Sequence, residues 1–353
     1  MASQAFLSLM AKISLVKIGQ HKETDFMKNR YFISVDWGTT NFRLRLVNKS
    51  GPEIIEEIIC SSGGVKKIFE SWKVRGGEKD TFFLQFLQSQ IGRINNPVSQ
   101  DLLVVISGMA SSNIGLKELP YKGLPLPLDG KDISTGIIES NVHCKHDILL
   151  ISGVRSDQDV ARGEETELIG LLTNYKAASG KRLFLFPGTH SKHFIVEGNY
   201  ILSFKTFMTG EFFDLLSKES LLKAAVTIHN DIKSKEAIES FKRGISDSIE
   251  GNLLNVSFKV RTNNIFNTMN KKDNFNYLSG LLIGTELKDL VNTSYSEICL
   301  ASNSVLDQYY KIALNEIFGA DERITILERK LLDENIVKGQ NKIMNYNIQK
   351  NER

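Results

Sequence analysis

Two short turns carry the residues best suited to chemistry. Asp36-Trp-Gly-Thr-Thr-Asn41 and Pro187-Gly-Thr-His-Ser-Lys192 each place a Gly-Thr pair directly after an apolar run. Backbone N–H groups in a tight glycine-containing turn can converge on a phosphate, because glycine lets the backbone approach closely and Thr or Ser hydroxyls add donors. An aspartate at the head of such a turn suits Mg²⁺, which favours carboxylate oxygens and keeps several of its waters. Gly38, Thr39, Thr40 and Asn41 are therefore candidate phosphate residues, with Asp36 the candidate metal residue. Gly188, Thr189 and His190 are their counterparts in the second turn. One turn of this kind is common in hairpins; two in matching positions, one headed by Asp, carry more weight. Neither GxxxxGK[ST] nor GxGxxG occurs, which excludes a P-loop and a dinucleotide fingerprint.

The flanking pattern supplies elements that would hold both turns. Residues 31–35 read as a buried strand, and 42–47 alternate, with Phe42, Leu44 and Leu46 on one face and Arg43 and Arg45 on the polar face. Residues 53–59 complete an antiparallel meander. Segments 182–186, 193–196 and 200–204 repeat that outline, which predicts two related domains facing each other. Between the meanders, 64–95 read as helical, and 102–106 and 147–151 as buried parallel strands. Residues 109–145 have no clear period and contain Pro120, Pro125 and Pro127, the mark of an insertion that lines a site. Helical patterns follow over 162–175 and 211–295, with late strands at 298–301 and 324–327. Gly280-Leu-Leu-Ile-Gly284 reads as close helix packing. The polar residues from 343 onward are expected to fray. The domains expected are 30–160 and 161–345, with a leader over 1–29 taken as disordered and a frayed tail over 346–353. Regular patterning begins at Tyr31, which makes Met27 a candidate start and 1–26 an upstream extension.

The bulk properties narrow the function. The chain has 353 residues, 41% hydrophobic and 24% charged, so it can bury two cores of ordinary size. Its net charge of +3 is small and scattered, which argues against a nucleic-acid partner. No apolar run reaches the length of a membrane span. The three cysteines, Cys60, Cys144 and Cys299, form no CxxC pair, so neither a disulfide framework nor a zinc site is expected. A reducing cytoplasm is the expected compartment.

Five further segments add to the first turn: Ser107-Gly-Met-Ala-Ser-Ser-Asn113, Arg162-Gly-Glu-Glu-Thr-Glu-Leu-Ile-Gly170, Pro187-Gly-Thr-His-Ser-Lys192, Phe207-Met-Thr-Gly-Glu211 and Leu278-Ser-Gly-Leu-Leu-Ile-Gly284. Together and in this order, over about residues 31–340, they resemble the 2-dehydro-3-deoxygalactonokinase family of the sugar kinase, heat-shock protein 70 and actin superfamily. The resemblance implies an α/β fold of two duplicated domains of the actin-like ATPase (ribonuclease H-like) type, with an interdomain cleft. It implies a phosphotransferase with an alcohol acceptor, using ATP and Mg²⁺ in galactonate degradation. The γ-phosphoryl would pass to the terminal hydroxyl of 2-dehydro-3-deoxy-D-galactonate, giving the 6-phosphate. In related sugar kinases a carboxylate at the start of the corresponding helix is the catalytic base, which puts Glu164 first and Glu165 second. Asp157 and Asp159 lie just upstream and stay open.

Arg162 is a candidate for the substrate carboxylate, since a guanidinium fork matches it at two points. Ser111, Ser112 and Asn113 suit a polyol chain, and His190 and Lys192 suit phosphate or substrate. Each also has a plainer reading: acids favoured by a helix dipole, a structural ion pair, a solvated loop, an exposed turn. Ser302-Asn303-Ser304 stands where the superfamily commonly has a glycine-rich adenosine turn, which leaves nucleotide preference open. A kinase for another sugar or sugar acid and a non-enzymatic actin-like nucleotide-dependent switch are the competing readings. The expected partners are the sugar acid and ATP, without nucleic acid or membrane, and compatible with a homo-oligomer.

Overall fold

The structure, a computed structural model, describes residues 30–96, 102–173, 175, 179–229, 232–302 and 304–351. The expected leader 1–29, Met27 within it, and Asn303 lie outside the described residues. The chain divides into two compact units. The first holds the described residues up to Arg155, Val160–Tyr175 and those from Glu334 onward; the second holds Ser156–Asp159 and Lys176–Asp333.

The first unit is built on β1 (Tyr31–Trp37), β2 (Phe42–Asn48) and β3 (Glu53–Cys60), an antiparallel meander as expected. Helices α1 (Val65–Arg75) and α2 (Lys79–Ile91) follow, separated at Gly76 and Gly77, both with positive φ that glycine alone adopts readily. Strand β4 (Val104–Gly108) pairs parallel to β1. Strand β5 (Thr135–Ile138), inside the segment without clear period, pairs antiparallel to β6 (Ile148–Ile151), which lies parallel to β4. The sheet order is β3-β2-β1-β4-β6-β5. Trp37 is fully buried; its ring meets Phe42 edge-on at 5.1 Å, and its Nε1 donates to Gly63 O at 2.8 Å. Arg45 departs from the expected polar face. It is 4% exposed because Glu57, opposite it in the β2–β3 register, accepts from its Nε at 2.7 Å.

The expected boundary at 160/161 is displaced by packing. Helix α3 (Glu164–Leu171) belongs to the first unit, as does the last helix from Glu334 onward. The two lie backbone to backbone: a Cβ on Gly170 would sit 1.7 Å from Asn335 O, and one on Gly339 2.0 Å from Thr166 O. The tail expected to fray from 346 is helical to Asn351. The helix that carries it is anchored inside the fold just before and within it. Gln340 Nε2 donates to Val35 O at 2.9 Å and Ser107 Oγ at 2.8 Å, and Asn347 Oδ1 accepts from Thr135 Oγ1 at 2.9 Å, while Ile343 and Met344 are fully buried.

The second unit repeats the plan. Strands β7 (Lys181–Phe186), β8 (Ser191–Glu197) and β9 (Tyr200–Phe207) form the meander; β10 (Glu297–Leu300) lies parallel to β7 and β11 (Ile324–Ile326) parallel to β10. The helices that position the site are α4 (Thr209–Lys218), α5 (Lys235–Glu250), α6 (Lys271–Leu287) and α7 (Leu306–Phe318). Helices α5 and α6 touch through glycines, as the GxxxG spacing implies: a Cβ on Gly244 would meet Tyr277 O at 2.2 Å, and one on Gly280 would meet Phe241 O at 2.1 Å. In each unit a three-stranded meander continues through its first strand into two parallel strands. This is the duplicated α/β plan that the resemblance implies.

Candidate active site

The first Gly-Thr turn is closed by Gly38 N–H donating to Asn41 O at 3.0 Å, leaving Thr39, Thr40 and Asn41 exposed. It is braced from behind by α1, whose Val65 and Lys66 N–H groups donate to Gly38 O (3.0 Å) and Thr39 O (3.1 Å). Gly64 makes this approach possible, since a Cβ there would lie 2.2 Å from Thr40 C. The second turn is built alike. Gly188 N–H donates to Ser191 Oγ at 3.4 Å, and α4 seats on the turn through Glu211 N–H to Thr189 O at 3.1 Å. Gly210 is the counterpart of Gly64; a Cβ on it would lie 2.7 Å from Gly188 O. The duplication thus extends to a glycine after each third strand, which the sequence reading missed.

Two further glycines bring a set of carboxylates to the first turn. Gly108 (φ +90°) ends β4 against Trp37, where a Cβ would lie 2.7 Å from Trp37 O. Gly163 (φ +117°) then stacks on Gly108, its added Cβ 3.4 Å from Gly108 Cα. Helix α3 therefore begins at the end of β1. Glu165 is fully buried and turns back on this start: its carboxylate accepts from Gly163 N–H at 2.8 and 3.0 Å and from Thr166 Oγ1 at 3.0 Å. Burial, with the neighbouring Glu164 charge, pushes its carboxyl up to about 7. Glu164 is half-buried, and its Oε2 accepts from Arg162 N–H at 3.2 Å. Glu167, one turn on and unforeseen, is pushed up to about 8 by burial and by the charges of Asp36 and Glu164. Its place three residues after Glu164 was the available signal, since i and i+3 share a helix face. Burial also raises Asp36, while Arg45 and Arg43 pull it down.

Such a cluster suits a dication, which lowers the cost of holding several carboxylates together. Among the described residues no group of three His, Cys, Asp or Glu is arranged to grip a metal directly. A dication that such an arrangement could accept is Mg²⁺, which reaches protein carboxylates largely through its waters and through substrate phosphates.

The loop after β4 is held by Arg162. This side chain is 8% exposed; its Nη1 donates to Ser111 O and, at 2.5 Å, to Ser111 Oγ, and its Nη2 to Leu119 O at 3.3 Å. The guanidinium lies over the Tyr121 ring, 4.1 Å from the centroid. Its fork is thus directed at the loop. Ser111 and Ser112 are buried, Ser112 Oγ donating to Met109 O at 2.7 Å, whereas Asn113 is exposed. In the second unit Lys192 is buried and donates to Thr206 Oγ1 at 2.8 Å, and that hydroxyl donates to Asp159 Oδ1 at 2.7 Å. His190 is exposed, 2.5 Å from Glu211 Oε2.

Beside the second turn lies a cavity of about 270 Å³, bounded by Gly188, Thr189 and Thr209 at one end and walled by Phe275, Ile283 and Leu306 among others. Ser302 is buried with its Oγ 3.3 Å from Ser304 Oγ; the late-strand side of the cavity is formed by Val305 and Leu306. The structure thus places Asp36, the first turn, Ser111, Asn113, Arg162, Glu164 and Glu165 in the first unit, and Gly188, Thr189, His190 and Lys192 in the second.

Known proteins share this organisation. The family model described as 2-keto-3-deoxy-galactonokinase matches residues 36–332. A probable 2-dehydro-3-deoxygalactonokinase of Rhizobium meliloti is 30% identical over 292 residues, 80% of this chain and 89% of that protein. The 2-dehydro-3-deoxygalactonokinase of Escherichia coli is 28% identical over 286 residues, covering 79% and 87%. A crystal structure assigned to the 2-dehydro-3-deoxygalactonokinases, from Sinorhizobium meliloti, superposes with a TM-score of 0.72 at 26% identity, over 88% of this chain and 97% of that one. The matched span runs from Asp36 through both turns and the start of α3 to the late strands, and the chain belongs to the 2-keto-3-deoxy-galactonokinase family and is a phosphotransferase.

Proposed function

We propose that the protein transfers the γ-phosphoryl of ATP to the terminal hydroxyl of 2-dehydro-3-deoxy-D-galactonate, giving the 6-phosphate, in galactonate degradation in the cytoplasm. The observation that carries the reading is the start of α3, set by Gly108 and Gly163 against the end of β1, where Asp36 and the first Gly-Thr turn lie. Phosphoryl transfer asks for positioned phosphates, charge neutralisation and a carboxylate for the hydroxyl proton, and this unit supplies a candidate for each. Glu164 is the proposed base. Glu165 has its oxygens occupied by Gly163 and Thr166, so it holds the helix start instead. Asp36 would hold Mg²⁺ through water, with Glu167 beside it; bound, the ion neutralises charge developing on the phosphates.

Gly38, Thr39, Thr40 and Asn41, and Gly188, Thr189 and His190, are the proposed phosphate contacts. The cavity beside the second turn is of a size and polarity to take adenosine. Ser111, Asn113 and Lys192 are proposed for the sugar acid. Arg162 serves it by holding the loop that presents Asn113. The cytoplasmic placement is supported by three cysteines that form no disulfide, and no helix among the described residues is long and apolar enough to cross a membrane.

The test is ATP consumption by purified protein against sugar acids, neutral sugars and no acceptor, with the product's phosphate position read by phosphorus NMR. Consumption dependent on 2-dehydro-3-deoxy-D-galactonate, with the phosphate on its terminal oxygen, is expected. Faster turnover of a neutral sugar would replace the substrate, and equal consumption without acceptor would favour the switch.

A further inference from the structure

Behind the second turn lies a buried polar network that the reaction above does not use. Its centre is Glu286 on α6, 2% exposed. One oxygen, Oε2, accepts from Thr209 Oγ1 and, at 2.7 Å, from Tyr310 OH; the other lies 2.8 Å from His193 Nε2. Tyr310 OH is also 3.0 Å from Ser191 Oγ, the group that accepts Gly188 N–H. An ionised carboxylate can only accept, so it orients the chain. Tyr310 donates to Glu286, Ser191 donates to Tyr310, and Ser191 is left to accept from Gly188. The network therefore ties β8 (through His193), α7 (through Tyr310) and the start of α4 (through Thr209) to the glycine of the second turn. Gly188, Thr209 and Tyr310 also border the cavity. A carboxylate with acceptors filled from three elements fixes their relative position more tightly than packing alone, because any shift leaves a buried polar group unpaired.

We propose that Glu286 is a positioning residue for nucleotide binding: it fixes the second Gly-Thr turn and the start of α4 in the arrangement that receives the nucleotide, without touching the nucleotide. The inference rests on the assignment of that cavity and turn to ATP. Glu286→Gln keeps the shape but turns one acceptor into a donor, which faces the Thr209 and Tyr310 hydroxyls or, turned over, faces His193 and fits there only if that ring changes tautomer. It should weaken ADP binding, measured by calorimetry without sugar acid, by about ten- to a hundred-fold, the cost of one unpaired buried partner. The KM for ATP should rise to match, with the sugar-acid KM changing less than about two-fold. A role confined to folding would lower the melting temperature or shift both KM values together. Should Glu286→Gln not fold, Tyr310→Phe removes only the relay hydroxyl and should weaken ADP in the same direction, by about three- to ten-fold. Wild-type ADP affinity in folded Glu286→Gln, or in Tyr310→Phe where the first does not fold, overturns the proposal. Failure of the wild-type chain to bind ADP at all overturns instead the assignment of the site.

Discussion

Glu165 offers a prediction whose sign and size both follow from the structure. Its carboxyl is buried beside Glu164 and lifted from the ordinary 4.5 to about 7. Below pH 4.5 it carries a proton folded or unfolded. Between 4.5 and 7 the unfolded chain releases that proton while the folded chain keeps it, so the fold loses stability as pH rises. Above 7 both are ionised and the whole cost is in place. A shift of that size at about 1.4 kcal/mol per pH unit amounts to roughly 3 kcal/mol. Glu165→Gln mimics the protonated form at every pH and removes this cost. It surrenders part of the acceptance from Gly163 N–H and Thr166 Oγ1, a loss of about 1 kcal/mol.

The variant should therefore be about 2 kcal/mol more stable than wild type at pH 8.5 and about equal to it at pH 5, where roughly 1 kcal/mol of the charging cost is already in place. In a domain of this size that is a melting temperature roughly 5 °C higher at the alkaline end and nearly unchanged at the acid end. Thermal unfolding of both proteins from pH 5 to 8.5, without nucleotide and with divalent cations chelated, reads the difference directly. A difference that does not vary with pH, or that falls as pH rises, refutes the account of Glu165 as a buried carboxyl held against its own charge. Glu164→Gln removes the second cause of the shift, so in that background the advantage of Glu165→Gln at alkaline pH should shrink.

Activity separates the two glutamates. Glu164→Gln should lower kcat by about a hundred- to ten-thousand-fold with little change in either KM, while Glu165→Gln keeps most of its turnover; steady-state kinetics giving the reverse would move the base by one residue. Asp36→Asn should abolish most turnover without lowering the melting temperature, since burial already disfavours its charge; near-normal activity in the folded variant would remove Asp36 from the metal. Gly108→Ala forces a Cβ to 2.7 Å from Trp37 O at a φ of +90°, and chemical denaturation should show a loss of roughly 2 kcal/mol, with activity falling further as α3 is displaced from β1.

Much of this was legible in the sequence because it is local. Each strand of the two meanders shows as its own short apolar or alternating run, and each Gly-Thr turn follows such a run, so the duplication could be read one segment at a time. What was not legible depends on residues far apart in the chain. The division at 160/161 failed because α3 is claimed by a helix that begins at Arg329, and the glycines that let them touch, Gly170 and Gly339, carry no periodic signal. The tail appeared frayed because Asn347 looks solvated in sequence, yet its partner is Thr135, far back in the chain. Arg45 was assigned to a polar face because alternation says which side a residue faces, not whether another strand has placed a glutamate there.

The site shows the same division between what a motif announces and what supports it. Gly38-Thr39, Gly188-Thr189 and Arg162-Gly163-Glu164-Glu165 are contiguous, and all could be picked out. The groups that set their geometry stand elsewhere. Gly64 and Gly210 lie a whole hairpin downstream of the turns they brace, and Glu286 is 77 residues away from the Thr209 it accepts from. Arg162 shows the consequence. Its charge and its place in a motif suggest a ligand for the substrate anion, but its Nη groups donate to Ser111 and Leu119. With both Nη groups taken up there, the role proposed for this arginine is to serve the substrate through the loop it holds. Residue type indicated the chemistry available in this chain; which group meets the substrate and which one positions another was decided by hydrogen bonds between distant segments.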